Sequence, residues 1–171
     1  MLRFFSLTLL PLFVLFCSPA SAEDPVVFHW KGSKAGHSIE LKIVGASYRK
    51  DRHEVVGLND PDTRKMKIDG RSPWGVEGVL PEKELISFEL KWDGVVVPVP
   101  EALWKDCFNL HLHPYKEPAM MEPGELPFIK ITEDGKQIIF GFDGADASFA
   151  YAVTWVLTQK GEHARWIEPM T

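Results

Sequence analysis

At 171 residues, with a formal net charge of −5 and a quarter of its residues charged, the chain is long enough to fill one domain core. No basic cluster offers a nucleic acid or an anionic membrane surface a place to bind. Two cysteines in the whole sequence exclude a disulfide framework as the source of stability.

The first predicted element is a leader. Met1-Leu2-Arg3 precedes an apolar run from Phe4 to Cys17, and Ala20-Ser21-Ala22 stands before the acidic Glu23-Asp24. A basic start, an apolar stretch too short for a comfortable bilayer span and small residues at −3 and −1 describe a secretory signal peptide over residues 1–22. Cys17 follows Phe16, where a lipidation signal needs a small residue. The expectation is a single β-rich domain over 23–171, secreted or periplasmic, with no stable membrane insertion after cleavage. Asn59 and Asn109 both lack the following Ser/Thr of a glycosylation sequon, which favours a bacterial periplasm. Cys107 is then the one remaining thiol.

Val26, Phe28 and Trp30 alternate on one side of a first strand, and Gly32 to Gly36 reads as a turn. Ile39 to Ile43 alternates as a half-buried strand. The stretch 48–63 is highly charged, with a turn at Asn59-Asp60-Pro61-Asp62. Lys65 to Ile68 is a short strand entering Asp69-Gly70, and 71–82 is loop. From Leu85 to Trp92, Ile86, Phe88, Leu90 and Trp92 oppose Ser87, Glu89 and Lys91. Asp93-Gly94 signals a hairpin, and Pro98 and Pro100 force the returning Val95–Val97 to a sheet edge.

Pro100 to Asp106, with Pro in the first turn and Glu101 beside it, predicts a short helix. Phe108 to His113 is extended, and 114–126 is a long loop rich in proline. Phe128–Thr132 and Gln137–Phe142 form a hairpin about Asp134-Gly135. Ser148 to Thr158 follows as a strand with Phe149, Tyr151, Val153, Trp155 and Leu157 on one face. A two-residue turn at Lys160-Gly161 would pair Gln159 with Glu162 and Trp155 with Trp166. These elements predict an all-β, mainly antiparallel sandwich of two sheets with one short helix near 100–106; the alternative is an up-and-down barrel.

The richest donor cluster is His111-Leu112-His113 with Met120-Met121. Histidines two apart on a strand share a face, and an exported mixture of His and Met suits copper, or zinc, as a transition-metal site. The plain alternative is a solvated strand face and a loop contact. Cys107 could act as a nucleophile with His111 as base, but the end of a helix and the adjacent Asp106 favour a neutral, buried thiol. Asp143 and Asp146 flank a glycine turn and could bind calcium or act as an acid–base pair, or simply form an Asx-turn.

Trp30, Trp92 and Trp155 belong to core faces. Trp74, Trp104 and Tyr115, with Asp143 and Asp146, are the residues expected on a binding surface. No phosphate loop, H-E-x-x-H or G-x-S-x-G occurs, so no catalytic residues and no cofactor are expected. The reading is a non-catalytic exported protein that binds a protein or an envelope component. The loop 114–126 and the edge at Val95–Pro98 are its contact surfaces; the alternative is the copper-type site.

Overall fold

The computed structural model describes residues 25–112 and 126–170. Strands β1 (Val26–Lys34), β2 (His37–Ser47), β5 (Lys83–Trp92) and β6 (Val95–Val97) form sheet I, in the order β1-β2-β5-β6. Strands β7 (Phe128–Ile131), β8 (Gln137–Gly144), β9 (Tyr151–Thr158) and β10 (His163–Pro169) form sheet II, in the order β10-β9-β8-β7. A two-residue pair, β3 (Val55–Val56) with β4 (Lys67–Ile68), lies in the long excursion between β2 and β5. Both large sheets are antiparallel and open, so the architecture is a sandwich and not a closed barrel.

Alternation builds this core. Ile39, Leu41 and Ile43 of β2 are buried, as are Phe88, Leu90 and Trp92 of β5 and Tyr151, Val153, Trp155 and Leu157 of β9. Rings close the gap between the sheets. Phe28 meets Phe142 edge-on at 4.8 Å, and Phe88 meets Trp155 at 5.5 Å and Phe140 at 5.8 Å. Offset and edge-to-face pairs of this kind add about 0.5–1.5 kcal/mol each beyond area burial. Asp93 and Gly94 both take positive φ, 51° and 79°, and pair Trp92 with Val95, as a type I′ hairpin requires. Val95 and Val96 lie exposed on the expected edge.

Four local expectations are corrected. The β9–β10 connection is three residues long: Thr158 N–H donates to the Glu162 carbonyl at 3.0 Å, and Gly161 takes φ 81°. The register therefore pairs Trp155 with Arg165 and Thr154 with Trp166, so Trp166 points outward, 56% exposed. The strand expected from Ser148 begins at Tyr151. Phe149 belongs to a 3-10 turn, Ala147–Phe149, and is exposed.

Ile86 is exposed and Leu85 buried, because the β2–β5 register slips between Val44 and Gly45, from Val44–Ser87 to Gly45–Leu85. A one-residue slip moves a side chain to the other face. The helix expected over 100–106 is a single 3-10 turn, Glu101–Leu103, and no α-helix occurs among the described residues. The Leu103 carbonyl accepts from Trp155 Nε1 (2.7 Å) and Arg165 Nη1 (3.1 Å), not from a further helical turn.

That turn opens the segment that leaves sheet I, and the segment is itself core. Leu103, Trp104, Cys107, Leu110 and Leu112 are all buried. Tyr151 Oη donates to the Phe108 carbonyl at 2.8 Å, and Arg165 holds Asp106 through Nη1 and Nη2. Asn109 accepts from the Glu82 and Lys83 amides, both at 2.9 Å, and donates to the Gly75 carbonyl. Tyr151→Phe keeps the ring but strands the Phe108 carbonyl. The variant should unfold at lower urea, having lost about 1–3 kcal/mol; an unchanged midpoint would show that this bond contributes nothing.

Candidate functional site

A concave surface lies at one end of the sandwich, where the loop 72–82 faces the 145–150 turn. Gly75 sets its shape. At φ 79°, a Cβ there would stand 2.6 Å from the Phe108 carbonyl oxygen and 2.7 Å from Tyr151 Cε1, so only glycine lets the loop lie this close. Trp74 is thereby laid beside Tyr151, with ring centroids 6.2 Å apart.

Two compartments adjoin through Val76, Glu77 and Phe149. The larger, about 410 Å³, is walled by Pro73, Trp74, Phe149 and Ala150, with Arg64 at its margin. The second, about 300 Å³, carries Glu77, Glu82, Asp146 and His111. Carboxylates outnumber cations there, since Lys83 is the one lysine or arginine in its lining.

His111 is fixed by strand β8. Its amide donates to the Asp143 carbonyl at 2.9 Å, and its Nδ1 lies 2.7 Å from Asp143 Oδ2. A carboxylate only accepts, so Nδ1 carries the proton. Nε2 lies 3.9 Å from Asp146 Oδ1. Asp143 and Asp146 thus converge on one imidazole; they do not form a carboxylate pair of their own.

Of the other residues expected at a site, Trp74 lines the cleft, but Trp104 does not belong to any binding surface. It is 5% exposed and stacks on Phe88 at 6.3 Å, because the segment after Leu103 turns into the core. Cys107 is buried. Desolvation, reinforced by Asp106 and only partly offset by Arg165, pushes its thiol up to about 12, which leaves it protonated and unreactive. His113, Tyr115, Met120 and Met121 lie outside the described residues. Among the described residues no group of three or more His, Cys, Asp or Glu side chains could hold a metal.

One cluster escaped the sequence reading. His53 bridges Asp69 Oδ2 through Nδ1 and Glu84 Oε2 through Nε2, both at 2.7 Å. Its ring stacks on Tyr48 at 4.9 Å. Residues 53, 69 and 84 have no shared periodicity, so no local pattern announces them. Together they staple the β3–β4 excursion to strand β5.

No family model, curated protein or solved structure matches the chain.

Burial pulls the His53 imidazolium down, but the bonds to Asp69 and Glu84 outweigh it and raise the residue above the ordinary histidine range. Such a group stabilises fully below the unfolded histidine value of about 6.5, and the contribution fades as pH rises through the raised folded value. Urea midpoints for the wild type and His53→Gln should therefore differ most near pH 6 and converge toward pH 9. A constant gap across that range would contradict the assignment.

Proposed function

We propose that this is a non-catalytic exported binding protein whose end cleft takes an extended segment of an envelope or secreted protein. The carrying observation is the adjacency of an aromatic compartment at Trp74 and Phe149 and an acidic one at Glu77, Glu82 and Asp146. A peptide with an apolar side chain and, a few residues away, a lysine or arginine complements both. The apolar group removes surface from water against the indole, and the cation supplies register more than affinity. The secretory leader expected at 1–22 places such partners outside the cytoplasm.

Fluorescence polarisation with labelled hexapeptides that carry Phe or Leu, each made with and without a Lys, tests this. Trp74→Ala should weaken binding at least tenfold, and Asp146→Asn with Glu77→Gln should weaken only the Lys-containing peptides. Equal binding by wild type and Trp74→Ala would remove the reading.

One observation favours a second reading, a transition-metal site of the copper or zinc type that includes His111. Asp143 fixes the Nδ1 proton and turns Nε2 toward Asp146, the orientation that carboxylates impose on metal-ligating histidines. Elemental analysis of protein purified from its own compartment decides it. Stoichiometric metal, lost on His111→Ala, would displace the peptide reading; metal-free protein would retire the metal site.

A further inference from the structure

The two outer faces of the sandwich differ in charge. On sheet I, His29 pairs with Lys42 and Lys42 with Glu89, while Lys31 pairs with Glu40 and Glu40 with Lys91. Ion pairs link them, as at His29–Glu40 (2.7 Å) and Lys31–Glu40 (3.2 Å). This is an ordinary solvated face.

The outer face of sheet II is built otherwise. One cross-strand row runs Phe128–Gly141–Thr154–Trp166, and the next Lys130–Ile139–Val156–Ala164. Lys130, on the edge strand, is the one charged residue in these two rows; the row at one end adds Asp143, already engaged by His111, and Glu168, and the row at the other end adds Glu162. The row is bounded by an aromatic at each end. Trp166 is 56% exposed. Phe128 lies down over Gly141: a Cβ at that glycine would stand 2.4 Å from Phe128 Cε1, so the missing side chain is what lets the ring lie flat. Three strand spacings, about 14 Å, separate the strands that carry the two residues, and the Phe128 ring leans one strand inward, over Gly141.

We propose that this face binds a neutral glycan chain, independently of the end cleft. Sugar rings present C–H faces that stack on aromatic planes, and the short side chains of Thr154, Val156 and Ala164 beside the two rings leave room for a short oligosaccharide. The hydroxyl of Thr154 lies midway to bond sugar hydroxyls. Near-absence of charge in the strip disfavours phosphorylated or carboxylated polymers, and the net charge disfavours nucleic acid. Peptides that add to sheets use edge amides, which a sheet face does not offer. A second copy is disfavoured by size, because the strip covers on the order of 300 Å² and a stable interface needs about 800 Å² per partner.

Affinity electrophoresis of the protein through gels holding mixed-linkage β-glucan, arabinoxylan, glycol chitin or dextran tests the proposal. Wild type should be retarded by at least one, Trp166→Ala and Thr154→Glu should migrate as in a glycan-free gel, and Trp74→Ala should behave as wild type. Trp166 is exposed, so its loss leaves the core intact, and circular dichroism checks that both variants stay folded. Retardation by none of the four polymers, or undiminished retardation of Trp166→Ala, overturns it. So does a dimer in sedimentation equilibrium that Trp166→Ala dissociates, since the face would then be an interface between copies.

Discussion

The structure depends on two side chains of β9 that act twice. Tyr151 and Trp155 fill the space between the sheets, and their polar atoms reach the carbonyls of Phe108 and Leu103. Burying an aromatic side chain of this size contributes about 1.5–3 kcal/mol, and the buried carbonyls it satisfies would otherwise cost about 1–3 kcal/mol each. The segment from Leu103 to Leu110 has almost no regular structure to satisfy its own backbone. It stays inside because sheet II supplies the donors. Arg165 on β10 extends the same arrangement by pairing with Asp106, which is itself buried.

The end cleft follows from that clamp. With Phe108 and Asn109 held, Asn109 gathers the amides of Glu82 and Lys83 and the carbonyl of Gly75, drawing the 72–82 loop over the end of β9. Gly75 is then pressed against Tyr151, and Trp74 is left half-buried in the wall of the cleft. A second staple, His53 between Asp69 and Glu84, secures the far end of the same excursion. Local geometry at the cleft is thus set by hydrogen bonds between loops and sheet edges, and not by propensity within the loops.

This explains what the sequence made legible. Period-two runs at Ile39–Ile43, Leu85–Trp92 and Tyr151–Leu157, with the turn at Asp93-Gly94, specify strands and a sandwich because burial and turn chemistry are local. The register of β9 with β10 was not legible. Gly161 is compatible with a two- or a three-residue loop, and the Thr158–Glu162 bonds select the longer one. Ile86 was misplaced because a bulge depends on the partner strand, and Trp104 because its burial depends on Trp155 and Arg165, which lie far along the chain. At the site, the spacing of Asp143 and Asp146 suggests a carboxylate pair, but the imidazole of His111 that stands between the two acids is visible only in the fold.

The register correction also changes what Trp166 is for. Opposed to Trp155, it would have been a second core anchor, and its size would need no other explanation. Opposed to Thr154, it stands in water in a row without a charged residue, where an indole leaves apolar surface exposed at about 25 cal/mol per Å². Single exposed apolar residues are ordinary; an indole in line with a ring seated on a glycine, in a row that carries no charged residue of its own, is a patterned surface. Sheet I shows that this fold has no difficulty placing ion pairs on an outer face. Sheet I also exposes Val27 and Val96, but cross-strand ion pairs stand beside them, and the row that ends in Trp166 has none of its own.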